Sequence, residues 1–333
     1  MHQYFIYKRL KKIVQLIILQ VLFLNICFAQ FQPLNPLYEK QIMKKNKVLT
    51  QSKWKYRPNA TEGVKVLSKT FDNNGNVIEE MNYKPDGSRS SRLTYKYDNN
   101  ENKIYYQLFD FSQVPEKRVR YVQNMVYNQN NDRISETGFD GISDFEIEYK
   151  YLAPGKLSEI IKYNDKKEIT EKRKYTYGSN TITMNVYNSA GTIKEIVEEK
   201  YDATGNLLEK TTLKPDETVI KKNIYKYDNT NRLIEEEEYF GTNFSSKLSY
   251  IYNDIGYVKE IEKEESSGNI FTNNSYNYDV KGNLIEELWY DGNPDDYSKK
   301  TYNYDEKDNV KEVDSYYSLY RYKVLYKYTY EFY

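Results

Sequence analysis

The sequence predicts an all-β protein built from tandem antiparallel β-hairpin repeats, a meander with a period near 26 residues that forms a curled or spiralling sheet. Three observations carry this reading. Turn signals recur at even spacing, the segments between them alternate apolar and polar residues, and 38 of 333 residues are tyrosine, a strong strand former.

The turns come first because they set the period. Phe71-Asp72-Asn73-Asn74-Gly75-Asn76 is echoed at Tyr97-Asp98, Tyr127-Asn128, Tyr201-Asp202-Ala203-Thr204-Gly205-Asn206, Tyr227-Asp228, Tyr252-Asn253, Tyr278-Asp279-Val280-Lys281-Gly282-Asn283 and Tyr304-Asp305. The later intervals are 26, 25, 26 and 26 residues, which marks duplication of one unit. A second set lies between them, at Lys84-Pro85-Asp86-Gly87, Tyr163-Asn164-Asp165, Tyr187 to Gly191, Lys214-Pro215-Asp216 and Tyr290 to Pro294. Each period thus holds two strands and two turns, too little chain for a crossover helix, so neighbouring strands pair antiparallel. In Asp-x-x-Gly-Asn the aspartate accepts hydrogen bonds from the turn's own backbone, and the glycine supplies the positive φ of a bulged hairpin. Turn chemistry outranks a calcium loop, because the twelve-residue pattern ending in a bidentate glutamate is missing.

The strands alternate with period two. Leu93, Tyr95 and Tyr97 fall on one face and Arg92, Thr94 and Lys96 on the other; Leu248, Tyr250 and Tyr252, then Tyr302 and Tyr304, repeat the pattern. Tyrosine buries its ring while its hydroxyl stays wet, which reconciles a polar composition with a folded chain. Roughly twenty strands cannot lie flat, since open sheets seldom exceed about ten, so the array bends, coils or closes with the tyrosine face inside.

At the ends, Asn35 to Lys45 opens with Asn-Pro and predicts a short helix over the sheet's first edge. Tyr320, Tyr322, Val324, Tyr326, Tyr328, Tyr330 and Phe332 alternate without a break and predict a long final strand that seals the array. The organisation is therefore 1–29 signal peptide, 30–59 N-terminal extension with a short helix and first strand, and 60–333 repeat array.

The first segment reads as a secretory signal: basic Lys8, Arg9, Lys11 and Lys12, apolar Ile13 to Phe28, and a cleavage site between Ala29 and Gln30. Two alternatives stand beside it. A retained membrane anchor is opposed only by the cleavage-like ending, and a lipoprotein acylated at Cys27 is opposed by the bulky Ile26 before it. Cleavage implies an exported chain, in the periplasm, on the outer surface or outside the cell, with no stable membrane insertion afterwards.

Cleavage also removes His2 and Cys27, the sole histidine and cysteine. Histidine-dependent triads, cysteine nucleophiles, thiolate or imidazole zinc sites and disulfides are then excluded together. The whole chain is formally neutral and the signal carries four cations and no anions, so the mature chain carries −4. Nucleic acid is not an expected partner. No phosphate-cradling glycine motif occurs, and outward positions rich in Lys and Glu argue against lipid contact. No catalytic, cofactor-binding or metal residue is singled out, and no cofactor is expected.

The unit Tyr276-Asn277-Tyr278-Asp279-Val280-Lys281-Gly282-Asn283-Leu284 resembles the tyrosine-aspartate (YD) repeats of the RHS family, with degenerate copies over most of residues 60 to 315. The resemblance implies a spiralling β-sheet, a hollow shell around a toxic C-terminal domain in some members and a partner- or glycan-binding surface in others. This chain is far shorter than a full shell and ends at Tyr333 in a strand, so toxin delivery is not implied.

Three functions compete. The leading one is a non-enzymatic binding or scaffolding module at the bacterial cell envelope, whose aromatics meet a glycan, a peptide or an envelope protein. Most tyrosines are expected to fill the core, with Trp54 and Trp289 as exceptions. The second is a carboxylate-based glycoside hydrolase drawing on Glu235 to Glu238 or Glu286 and Glu287, although solvent-facing strand charge is the plainer reading of both runs. The third is a structural protein that self-assembles through its edge strands, against which abundant lysine is a protection.

Overall fold

Short hairpin turns leave each strand only one cheap partner, the next in sequence, and the fold follows from that. The structure, a computed structural model, describes residues 36–333 apart from 59, 293 and 294. The signal segment, the cleavage site at Ala29 and Gln30, Cys27 and the predicted cap Asn35 lie outside the described residues.

Among the described residues one helix, α1 (Pro36–Lys45), precedes 22 strands. These are β1 (Val48–Tyr56), β2 (Val64–Phe71), β3 (Val77–Tyr83), β4 (Arg89–Tyr97), β5 (Lys103–Asp110), β6 (Val119–Tyr127), β7 (Arg133–Phe139), β8 (Asp144–Ala153), β9 (Lys156–Tyr163), β10 (Ile169–Tyr177) and β11 (Thr181–Asn188). The second half comprises β12 (Ile193–Tyr201), β13 (Leu207–Leu213), β14 (Val219–Tyr227), β15 (Leu233–Phe240), β16 (Asn243–Tyr252), β17 (Val258–Glu265), β18 (Ile270–Tyr278), β19 (Leu284–Trp289), β20 (Ser298–Tyr304), β21 (Val310–Tyr317) and β22 (Tyr322–Phe332). Consecutive strands pair antiparallel throughout, and β22 pairs with β1, from Val48 opposite Phe332 to Tyr56 opposite Leu325. The sheet is a closed barrel.

Bulges supply the curvature. Register slips by a residue just before the tyrosine that opens the turn, between Lys96 and Tyr97, Lys226 and Tyr227, Asn277 and Tyr278, and Asn303 and Tyr304. Each slip bends the strand and adds right-handed twist, and repetition turns a meander into a barrel. Closure also removes the free edges that edge-strand self-assembly requires, which corrects that expectation for the described strands.

The turns behave as read. Asp279 Oδ1 accepts the backbone N–H of Lys281 at 2.8 Å and of Asn283 at 2.9 Å, while its Oδ2 accepts the Asn283 amide at 3.0 Å. Asp72, Asp202 and Asp305 repeat the arrangement. The residue closing the turn adopts positive φ, Gly282 at 88° and Gly205 at 92°, but also Glu101, Asn231 and Asp308 at 62–64°.

Two end elements differ from expectation. The final strand starts at Tyr322, because Ser318–Tyr320 forms a 3-10 turn and Arg321 takes φ 47° to reverse the chain, so Tyr320 stands outside the alternation. The helix covers no edge, since none is free. Ile42 and Met43 pack with Val48 and Phe71 beside Tyr38, Val77 and Tyr330. Its polar side chains reach turns on both flanks of the β22–β1 seam. Tyr38 Oη donates to Asn283 Oδ1 at 2.8 Å, Lys40 pairs with Glu101, Glu39 accepts from Lys69 at 2.8 Å, and Asn46 donates to Asn309 Oδ1 at 2.8 Å. Only a helix inside the curve meets both flanks, so α1 sits in one mouth of the barrel and the tyrosine face is the inner wall.

Candidate functional site

Side-chain alternation assigns every strand residue to one wall. Tyr302 faces Val313, which faces Tyr326, and Tyr225 faces Glu236, which faces Leu248. These are inner-wall positions. The outer wall is a ladder of ion pairs, such as Lys226 with Glu235 and Glu237 (2.5 and 3.2 Å), and Lys200 and Lys222 with Glu209 (2.9 and 2.7 Å). Exposed pairs of this kind contribute little to stability, and their polarity keeps the wall wetted.

About eight strands give an interior that side chains can pack, whereas 16 or more leave a lumen. Among the described tyrosines only Tyr276 is fully buried, at 6 % exposure; most others of the inner wall are half-buried, and Tyr322 is exposed. Ring pairs run along the wall, as in Tyr95 with Tyr106 at 5.4 Å and Tyr106 with Tyr121 at 5.5 Å. Tyr250, Tyr252, Tyr278 and Tyr302 pack against a buried cluster of Val258, Ile261, Tyr276 and Leu284, so tyrosines contribute to a core laid along the wall while keeping part of each ring exposed.

The wall is layered. Nearest the α1 mouth, most of the tyrosines in this layer donate their hydroxyl to a backbone carbonyl on the adjacent strand, while Tyr201 donates to Glu199 at 2.7 Å instead. Tyr97 bonds Val77 at 3.1 Å, Tyr177 bonds Leu157 at 2.7 Å, Tyr278 bonds Val258 at 2.8 Å and Tyr330 bonds Val310 at 2.7 Å. Burial pushes the Tyr97 hydroxyl up to about 12, with the nearby Asp72 adding to the shift. One layer deeper, tyrosines bind glutamates. Tyr302 bonds Glu287 at 2.9 Å, Tyr149 bonds Glu136 at 3.0 Å, and Tyr250 reaches Glu236 at 3.4 Å. Burial and then the Glu287 carboxylate hold the Tyr302 hydroxyl well above its ordinary value.

The acidic runs separate on this wall. Glu235 and Glu237 point outward to Lys226, while Glu236 and Glu238 point inward; Glu286 pairs outward with Lys299 and Glu287 inward with Lys300. Burial raises the Glu236 carboxyl, the Tyr250 bond opposes this, and Glu238 adds to it. The inner carboxylates already bond to lysine, asparagine or tyrosine: Glu238 to Lys221, Glu236 to Asn223 at 3.4 Å, and Glu287 to Lys300 at 3.2 Å.

The two tryptophans part company. Trp54 lies on the outer wall, bonded to Thr329 Oγ1 at 3.1 Å. Trp289 lies on the inner wall near the mouth opposite α1, edge-on to Tyr317 at 5.8 Å, and Tyr317 stacks on Tyr322 at 6.4 Å. Lysines interleave with this strip. Lys300 sits over Trp289 at 4.7 Å, Lys55 over Tyr322 at 5.5 Å, and Lys53 over Tyr326 at 3.9 Å. Burial depresses the Lys53 ammonium, and Lys300 and Lys69 depress it further. Sequence reasoning missed these lysines. Alternation along β1, in register with Tyr328, Lys327 and Tyr326 of β22, puts Lys53 and Lys55 on the inner wall and Trp54 on the outer one, and only the closed seam shows which wall is which.

No protein-family model matches the chain, and no curated protein matches its sequence. Solved structures do resemble it in fold. A crystal structure of TcdB2-TccC3-TEV is 12 % identical over 78 % of this chain, with a TM-score of 0.31; the chain spans about a fifth (19 %) of the length of that one. A porin-like protein from Bacteroides uniformis is 10 % identical, covering 86 % of this chain and 97 % of its own, with a TM-score of 0.30. A second porin-like protein, from Bacteroides vulgatus, is also 10 % identical, covering 85 % and 98 %, with a TM-score of 0.26. Likeness at that level says nothing about function. Among the described residues no helix is long and apolar enough to cross a membrane.

Proposed function

We propose that this chain is an exported, non-catalytic binding or scaffolding module of the bacterial cell envelope, related to the YD-repeat proteins, whose contact surface is the inner wall of its barrel. The observation that carries the reading is the half-buried tyrosine wall, aromatic surface that a packed core would have consumed. Stable scaffolding fits the rest: hydroxyls tied to carbonyls, turn aspartates tied to their own backbone, and inner glutamates tied to lysine or tyrosine. Catalysis by paired carboxylates needs an acid and a base left free across a gap, and the inner glutamates are instead held by their neighbours.

The test is to probe the purified chain on glycan and peptide arrays, with hydrolysis products monitored in parallel. Specific retention of a ligand without turnover is expected. Silence on both arrays, or release of cleaved sugar, overturns the reading. Export is tested separately by sequencing the N-terminus of the secreted protein, which should begin at Gln30.

A further inference from the structure

Resting on that reading, we propose that the inner wall between the mouth opposite α1 and Lys53, six residues along β22 from Tyr322, holds a saccharide subsite for an acidic sugar, with the Trp289–Tyr317–Tyr322 strip stacking against pyranose rings and Lys53 receiving the carboxylate.

The chemistry begins with Lys53. Several inner-wall lysines have acids beside them: Lys300 has Glu287 at 3.2 Å, Lys210 has Glu199 at 3.0 Å and Lys69 has Glu39 at 2.8 Å. Among the described residues Lys53 has no carboxylate within ion-pair distance, and its ammonium rests on the Tyr326 ring at 3.9 Å. Lys69 on one side and Lys300 on the other add positive charge. A half-buried cation without an anion is costly in the empty protein and favours an incoming negative group, whereas Lys69 and Lys300 are already compensated by Glu39 and Glu287. Cation–π contact offsets part of that cost and fixes the ammonium against the wall.

The aromatic strip sets the class of ligand. Trp289, Tyr317 and Tyr322 are spaced 5.8 and 6.4 Å centre to centre, close to the length of one sugar ring, and the lysines over Trp289 and Tyr322 add hydrogen-bond donors beside the rings. A peptide would ordinarily be captured on such a sheet by adding a strand, but closure has used both edges, with β1 and β22 paired to each other. A saccharide needs no backbone ladder. Its ring stacks, its hydroxyls meet lysine and tyrosine, and its carboxylate meets Lys53.

The probe is a hexamer of galacturonic acid, run against the matching neutral galactose hexamer and against poly-glutamate, by titration calorimetry on the full exported chain. Binding of the uronate at least tenfold tighter than either control is expected. Lys53→Met keeps the aliphatic stem on Tyr326 and should abolish that preference, while the outer-wall control Lys226→Met should leave it intact; circular dichroism and the melting temperature establish that both variants fold. Equal binding of the neutral hexamer, or a preference that survives in K53M, overturns the subsite but leaves a binding lumen standing. Equal binding of poly-glutamate overturns the saccharide assignment. No binding of any probe at millimolar concentration overturns the subsite outright, and the array result decides separately whether the lumen binds at all.

Discussion

Tyr304 donates its hydroxyl hydrogen to the carbonyl of Leu284, 2.7 Å away and twenty residues earlier in the chain. The bond ties the end of β20 to the start of β19, and Tyr278 with Val258, Tyr227 with Leu207 and Tyr330 with Val310 repeat it at the same separation. The tyrosines of the Tyr227-Asp228, Tyr278-Asp279 and Tyr304-Asp305 units are thus structural fasteners, and the aspartate beside each holds the turn.

Replacing Tyr304 with phenylalanine removes the fastener and keeps the ring. The expected loss is about 1 kcal/mol, the usual net value of one partly buried hydrogen bond. Urea unfolding should show the midpoint fall with an unchanged slope. A variant as stable as the parent would mean that water satisfies the Leu284 carbonyl equally well.

Gly75 and Gly205 occupy the same place in the same motif, yet their substitution should differ in effect. Both have positive φ, 76° and 92°, so alanine costs each about 1 kcal/mol or more. At Gly205 a Cβ enters open space; at Gly75 it falls 2.3 Å from the Lys40 carbonyl oxygen and 2.9 Å from the Lys44 nitrogen. Gly75→Ala should therefore release α1 as well. Limited tryptic cleavage at Lys40, Lys44 and Lys45 should accelerate in that variant and stay at the parental rate in Gly205→Ala.

The turn aspartates make the barrel sensitive to acid. The Thr204 hydroxyl, ahead of the Asn206 and Thr204 backbone bonds, holds the Asp202 carboxyl down at about 2. Asp98, Asp216 and Asp279 are lowered in the same sense by their own turns. A carboxyl that ionises more readily when folded stabilises above its unfolded value, and that contribution is lost as pH falls through the folded value. Stability should thus decline from about pH 4 toward pH 2. Asparagine already does this work at Asn128, whose Oδ1 accepts the N–H groups of Asn130 and Asp132 at 2.9 and 3.0 Å. Asp202→Asn should accordingly fold at neutral pH and lose less stability than the parent between pH 4 and pH 2, read by circular dichroism in urea. An identical acid profile would remove Asp202 from the set of responsible groups.

Much of this architecture was legible because it is local. Leu93, Tyr95 and Tyr97 announce their shared face by alternation, and Asp279 to Asn283 announces its turn by side-chain chemistry. The turns at Tyr97-Asp98, Tyr227-Asp228 and Tyr304-Asp305 were legible from the Tyr-Asp pair alone, although Glu101, Asn231 and Asp308 hold there the positive φ usually marked by glycine. What depends on the sum of many strands was not legible. The pairing of Gln51 with Tyr330 reflects twist accumulated over the whole meander, and no residue in either strand specifies it alone. The lysine subsite has the same origin, because Lys53, Lys300 and Tyr326 come together only when the seam closes.

Closure is itself testable. A chain ending at Tyr320 lacks β22 and leaves β1 and β21 each with one unpaired side, in a sheet whose described strands are otherwise all paired. Unpaired backbone N–H and C=O groups recruit further strands, so the truncated chain should self-associate at concentrations where the parent is a single species by light scattering. Two features make the gap specific: Gln51 loses its bond to the Tyr330 hydroxyl at 3.2 Å, and Val48 loses its pairing with Phe332. A synthetic peptide covering Tyr322 to Phe332 should then insert between β21 and β1, restoring the parental molecular mass and melting temperature. A truncated chain that stays monomeric and ignores the peptide would show that the β22–β1 seam is not what holds the barrel shut.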